Sequence, residues 1–144
     1  MCSRTVVAAV LVSLVTLGSA SAEPKPKRPA LDMRVTPRMA FSPVNILVVA
    51  EMKGGDDIEE FYCPEIEWDW DDGGKSIHEA DCDPFEAGTK IERRFSQEHY
   101  YPRAGIYNVK ASFKRAGRTF LAATIRVTVR AGVGDPTGLR EPPE

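Results

Sequence analysis

The sequence predicts an all-β protein, a β-sandwich of two packed antiparallel sheets with about seven short strands. Apolar and polar residues alternate over residues 107–113 and again over residues 121–129, which is typical of strands with one buried and one solvated face. No stretch has helical periodicity. The 144 residues include 11 Gly and 11 Pro, which favours frequent turns over long helices.

The first 22 residues have the features of a secretory signal. Arg4 precedes an apolar run over residues 5–18, and Ala20-Ser21-Ala22 is a small-x-small cleavage site. The run is shorter than the ~20 apolar residues of a spanning helix. We therefore expect a mature chain beginning at Glu23, secreted or periplasmic, with no membrane span after signal cleavage.

Cysteine use fits that compartment. Cys2 leaves with the signal, and the mature chain keeps Cys63 and Cys82. Two cysteines in an exported chain favour a disulfide over a thiol nucleophile or a metal site. The bond would close a loop of about 20 residues and contribute roughly 3 kcal/mol to stability.

The mature chain divides into three parts. Residues 23–30 form a Pro- and Lys-rich spacer, expected to be extended and solvated. Residues 31–131 form the sandwich domain, and residues 132–144 a flexible tail. Within the domain, residues 31–41 predict an edge strand broken by Pro37, and the dense apolar run over 45–52 predicts a buried strand.

The later strands follow from local patterns. Ile66, Trp68 and Trp70 alternate with acidic residues and lead into a turn over residues 71–74. Residues 91–95 predict another short strand. Residues 114–117 predict the hairpin turn between the last two strands. We expect the Trp68 strand to lie beside the strand that begins at Tyr107, which in turn lies beside the last strand.

Charge is nearly balanced overall and uneven along the chain. The formal net charge is −2, which argues against a general nucleic-acid binder because phosphate contacts need a basic excess. Residues 51–86 nevertheless carry 14 acidic and 2 basic side chains. This acidic segment could guide docking to a cationic partner.

Two segments resemble the polycystic-kidney-disease (PKD) domain family. Residues 68–73, WDWDDG, resemble its W-x-F-G-D-G signature, with Asp71 where the family usually has Gly. Residues 99–109, HYYPRAGIYNV, resemble its H-T-Y-x-x-x-G-x-Y-x-V signature with every spacing kept. The resemblance covers about residues 40–130. It implies an immunoglobulin-like sandwich that serves outside cells as a noncatalytic spacer or interaction module.

The signature residues have structural interpretations. Trp68 and Trp70 should both point into the core, and Asp72 suits an Asx-turn. Tyr101 could cap a corner through its hydroxyl, and His99 is more plausible as a hydrogen-bonded structural residue than as a base. The full structural signature is Trp68, Trp70, Asp72, Gly73, His99, Tyr101, Gly105 and Tyr107.

A calcium site is one alternative. Carboxylate oxygens are suitable ligands, and the low-priority candidates are Asp69, Asp71, Asp72, Asp81 and Asp83. No D-x-D-x-D-G loop is present. We favour surface ion pairs instead, with Glu67 and Asp69 near Lys110 and Arg126 on one wet face.

A glycan-binding face is the other alternative. Tyr62, Phe85 and Tyr100 could stack on sugar rings, although packing against the disulfide is the favoured interpretation. Ser96 lies near His99 in sequence, but no nucleophile elbow surrounds it. We therefore expect no catalytic residues, no bound cofactor and no enzyme activity. The expected role is an interaction module for a protein or an extracellular glycan.

Overall fold

The computed structural model describes residues 25–134. In that range the chain forms eight strands in two sheets, with strand orders β1-β3-β6 and β2-β8-β7-β4-β5. One 3-10 turn, Glu59–Phe61, precedes β4. The predicted all-β sandwich is confirmed. The strands are β1 Ala30–Thr36, β2 Met39–Phe41, β3 Val44–Lys53, β4 Glu65–Asp69, β5 Lys75–His78, β6 Arg94–Tyr101, β7 Gly105–Arg115 and β8 Arg118–Arg130.

The neighbours of the Trp68 strand are as predicted. β4 pairs with β7, and β7 pairs with β8, both antiparallel. The order β8-β7-β4-β5 is that of the G-F-C-C′ sheet in immunoglobulin variable domains. β5 was not predicted, and it adds an edge strand to this sheet.

The prediction of wholly antiparallel sheets is wrong at one pairing, because β2 runs parallel to β8. The predicted edge strand over residues 31–41 is in fact two strands in different sheets. Pro37 has no N–H group, so the ladder with β3 ends at Thr36. The chain then continues in the same direction and joins the other sheet as β2.

The core fills the space between the sheets and follows the period of two. Alternate residues of β3 are buried, and so are alternate residues of β4 and of the second half of β8. The largest side chains with less than 2% exposure are Trp68, Trp70, Tyr101, Phe61 and Phe113.

The hairpin between β7 and β8 has the predicted turn. Ala116 and Gly117 have φ values of 48° and 73°. Two positive φ values in a two-residue loop define a type I′ turn, which matches the twist of the flanking strands. The strand predicted over residues 91–95 begins later, at Arg94, and extends to Tyr101, so His99 lies within a strand.

The ends of the described chain extend the domain slightly. β1 begins at Ala30, one residue before the predicted boundary. The Asp56 N–H donates to the Lys27 carbonyl at 3.1 Å, and the Lys27 N–H donates to the Asp56 carboxylate at 2.8 Å. The spacer therefore contacts the loop after β3 at Lys27. The predicted signal and residues 135–144 of the predicted tail lie outside the described residues.

None of the helical structure within residues 25–134 is long and apolar enough to cross a bilayer.

Candidate functional site

Five signature side chains form a column of rings between the sheets. The indoles of Trp68 and Trp70 are parallel, with centroids 5.9 Å apart, and Trp70 stacks on His99 at 4.3 Å. His99 meets Tyr101 edge-on at 4.8 Å, and Tyr101 stacks on Tyr107 at 3.9 Å. Both tryptophans are 1% exposed, so the predicted inward orientation is confirmed.

Asp72 holds the turn after β4 and joins it to the ring column. Its Oδ1 accepts the Gly74 N–H at 2.8 Å, which forms the Asx-turn expected there. Its Oδ2 lies 2.7 Å from His99 Nε2. Partial burial acts to raise the pKa of Asp72, but the hydrogen bonds from His99 and Gly74 outweigh it and lower the pKa.

The Tyr101 hydroxyl bonds to the opposite sheet, whereas the sequence predicted that it would cap a corner of the sandwich. This hydroxyl donates to the Trp70 carbonyl at 2.7 Å in a buried contact, and burial raises the pKa of the phenol. The short-range bond of a tyrosine corner is made by Tyr107, whose hydroxyl donates to the Arg103 carbonyl at 2.9 Å. A Cβ at Gly105 would lie 2.9 Å from the Tyr107 ring, so a larger residue there would displace the ring that bonds Arg103.

Asp69 and Asp71 are also engaged near this turn. Asp71 Oδ2 accepts the backbone N–H of Asn108 at 2.8 Å and its side-chain amide at 3.2 Å. The Asp71 N–H donates to Asp69 Oδ1 at 3.2 Å. Asp71 has φ 60°, a left-handed conformation that favours glycine, at the position where the PKD signature usually has Gly.

The calcium candidates are not gathered into one ligand set. Asp81 and Asp83 are exposed in the loop between β5 and β6, whereas Asp71 and Asp72 lie in the turn after β4. Across residues 25–134, no group of three or more His, Cys, Asp or Glu side chains is placed to hold a metal ion.

The predicted surface ion pairs form with different lysines. Asp69 faces Lys110 in the β4–β7 register, but the ion pairs of Glu67 are with Lys75, at 2.9 Å, and with Lys114. Hydrogen bonds from Lys114 and then Lys75 lower the pKa of Glu67 to about 2. Lys75 was missed because β5 was not predicted.

The predicted disulfide between Cys63 and Cys82 is present. Beside it, the rings of Tyr62 and Phe85 are 5.4 Å apart, and the Tyr62 hydroxyl donates to the Asp83 carbonyl at 3.0 Å. These contacts match the favoured packing interpretation. Tyr100 lies elsewhere, on β6 opposite Asn45, and is 52% exposed.

A surface that the sequence analysis missed lies on the outer face of the five-stranded sheet. Met39 of β2 and Ile106 of β7 both pair with Thr128 of the intervening β8. Phe41 pairs with Arg130 one row further along. We call the arginine–apolar patch the set Met39, Phe41, Ile106, Arg126 and Arg130.

The patch is open to solvent and positively charged. Met39, Phe41 and Ile106 are 56%, 63% and 61% exposed. None of the ion pairs formed among residues 25–134 involves Arg126 or Arg130. Contiguous exposed apolar residues mark interaction sites, and aromatic residues, Met and Arg are enriched in protein interfaces.

One signal in the sequence pointed to this surface. Ile106 is apolar, but it occupies one of the alternate positions of its strand that point to solvent, opposite in direction to Tyr107 and Val109. An apolar residue on a wet face is unremarkable alone. It becomes informative only when the register places Met39 in the same row and Phe41 in the next one.

No protein-family model matches this chain, and no curated protein matches it.

Proposed function

We propose that this chain is an exported, noncatalytic, PKD-like module that binds another protein through the arginine–apolar patch. The observation that carries the proposal is the patch itself: three large apolar side chains of β2 and β7, each more than half exposed, beside two arginines of the intervening β8. Exposing these side chains costs solvation free energy, which a partner surface would recover.

The module role draws further support from the signature cluster. Asp72, His99 and Tyr101 make bonds that connect the turn after β4 to β6. In this proposal they have framework roles, as the PKD resemblance implies, and the exposed patch meets the partner. Export is supported by the signal-like residues 1–22 and by the Cys63–Cys82 disulfide, since such bonds persist in oxidising compartments.

The partner surface is expected to be acidic with an apolar centre. Arg126 and Arg130 present planar donor groups that suit carboxylates. Phe41 and Ile106 would supply the desolvated centre, around which the arginines form a polar rim. Electrostatic attraction would then set the association rate and its salt dependence.

Site-specific photo-crosslinking in the native host tests the proposal. A photoreactive residue at Ile106 should capture a partner protein, and the adduct should disappear when Arg126→Glu and Arg130→Glu are added. The matched control places the same residue at Ala122, an exposed position on the outer face of β8. Equal adducts at both positions, or an adduct indifferent to the arginines, would contradict the proposal.

A solution measurement separates binding from folding. Once the partner is captured, Phe41→Ser should weaken its affinity at least tenfold, which is about 1.4 kcal/mol. The variant's midpoint of urea unfolding should stay near that of the wild type, because Phe41 is already 63% exposed. A loss of stability comparable to the loss of affinity would argue that Phe41 has a structural role instead.

A further inference from the structure

The sandwich has four strand edges, and three of them are short or covered. β2 has three residues and β5 has four, and β1 lies against β8. β6, Arg94–Tyr101, has eight residues with no Pro or Gly. Long edges without proline, bulge or cover are templates for pairing with another strand.

The outer edge of β6 has no backbone partner within residues 25–134. β6 pairs with β3 on one side, and no other backbone hydrogen bond in that range involves it. The segment between β5 and β6 forms no strand, whereas constant-type immunoglobulin domains have a fourth strand at this position. Alternate N–H and C=O groups of β6 therefore face outward.

A groove beside this edge reaches the core. Its cavity has a volume of about 190 Å³ and is lined in part by Trp68, His78, Glu92 and Phe95. A strand paired with β6 would direct alternate side chains toward this groove. The cavity is of a size to take an apolar side chain such as valine.

The charge around the groove defines the ligand further. Residues 79–93, which connect β5 to β6, carry five acidic and two basic side chains, and one of the basic ones, Arg93, is paired with Asp57. Glu92 and Arg94 both line the groove itself, so its negative surroundings come from the connecting segment. A net negative flank favours an approaching cationic chain.

We propose that the outer edge of β6 binds an extended, cationic segment of a partner protein, which adds to the three-stranded sheet as a fourth strand. Main-chain hydrogen bonds along the edge supply affinity, and the groove selects apolar side chains at alternate positions. This site lies on the other sheet from the arginine–apolar patch, and it does not depend on the function proposed for that patch.

The test uses a synthetic eight-residue peptide of alternating lysine and valine, titrated into the intact mature protein. Amide exchange of β6 is followed by NMR, because outward-facing N–H groups should exchange fast in the free protein and become protected in the complex. The matched control peptide has the same sequence with N-methylated valines, which lack backbone donors. The control should bind at least tenfold more weakly.

Two variants test whether the negative charge of the segment before β6 contributes to peptide binding. Asp81→Asn combined with Asp83→Asn removes two negative charges from the connecting segment at exposed positions and should weaken peptide binding severalfold at low salt. Asp32→Asn, on β1 at the opposite edge of the same sheet, should leave the affinity unchanged.

Four outcomes would overturn the proposal. They are no binding at millimolar peptide, equal binding of the N-methylated control, new protection on β1 or β5 instead of β6, and β6 amides already protected in a concentration-dependent way. The last would mean that a second copy of this chain occupies the edge.

Discussion

The hydroxyl of Tyr101 lies 2.7 Å from the backbone carbonyl oxygen of Trp70 and donates a buried hydrogen bond to it. Tyr101 ends β6 in one sheet, and Trp70 directly follows β4 in the other. This hydrogen bond thus connects the two layers within the ring column, next to the contact between Asp72 and His99.

Removing that hydroxyl should destabilise the fold. Tyr101→Phe leaves the Trp70 carbonyl buried without its donor, and such a loss costs about 1–3 kcal/mol. Urea unfolding followed by circular dichroism measures the change. Tyr100→Phe, at the adjacent and 52% exposed position, should change stability by less than about 0.5 kcal/mol. Similar losses in both variants would contradict this account.

Asp72 should make the fold sensitive to acid. Its pKa is lowered in the folded state relative to the ordinary value of 3.8, so its ionised form stabilises the fold above that pH. The contribution is lost as the pH falls through 3.8 toward the folded-state pKa. Asp72→Asn should therefore be less stable than wild type at pH 7, with the difference narrowing below pH 4.

The measurement is the urea midpoint of both proteins at a series of pH values. Asp81→Asn, in the exposed loop between β5 and β6, controls for removal of a carboxylate without the His99 and Gly74 bonds. A gap between wild type and Asp72→Asn that stayed constant from pH 7 to pH 2 would show that the ionised carboxylate contributes nothing.

Loss of the disulfide should lower stability without abolishing the two sheets. Cys63→Ser combined with Cys82→Ser releases a loop of about 20 residues, and the chain-entropy relation puts the cost at about 3 kcal/mol. Urea unfolding of the variant measures it. Intact-mass analysis of the wild type with and without reductant should show two hydrogens gained on reduction. Two free thiols in protein from an oxidising compartment would contradict the bond.

Calcium should leave the melting temperature unchanged. Asp71 is bonded to Asn108 and Asp72 to His99 and Gly74, so calcium would have to displace these partners. Calorimetric scans in millimolar calcium and in chelator should coincide, with magnesium as the control ion. A site with Kd one hundredfold below the calcium concentration would add about 2.7 kcal/mol, and a rise of several degrees would reveal it.

The hairpin turn offers a stabilising substitution. Ala116 has φ 48°, a conformation that costs most L residues about 1–2 kcal/mol and that asparagine tolerates better. Ala116→Asn should raise stability by about 0.5–1 kcal/mol, because Asn-Gly is the favoured type I′ pair. Ala116→Val should lower it, since β-branched residues resist this region. Thermal unfolding of the three proteins orders them, and the reverse order would refute the turn assignment.

Local patterns predicted most of the fold. The strands around Trp68, Tyr107 and Ile125 each show their buried face in their own alternation, and the hairpin at Gly117 follows from neighbouring residues. The disulfide followed from cysteine number and compartment. The strands and the turn depend on residues that are close in sequence, and the disulfide depends on there being only two cysteines to join in the mature chain.

Features that join distant segments escaped prediction. Pro37 marked a break in a strand, but nothing local shows that the chain changes sheets there. The arginine–apolar patch combines Met39, Ile106 and Arg130, which only the β2–β8 and β7–β8 registers bring together. The ion pair between Glu67 and Lys75 escaped prediction for the same reason. Lys75 lies on β5, a strand whose sequence shows no clear alternation.

The two stacked indoles give this protein a built-in optical reporter. Trp68 and Trp70 are the only tryptophans in the sequence, and both lie in the dry layer between the sheets. Their emission should be blue-shifted while the layers stay closed and should move to longer wavelength when water enters. Separation of the sheets can therefore be followed by fluorescence at micromolar concentration with no added dye.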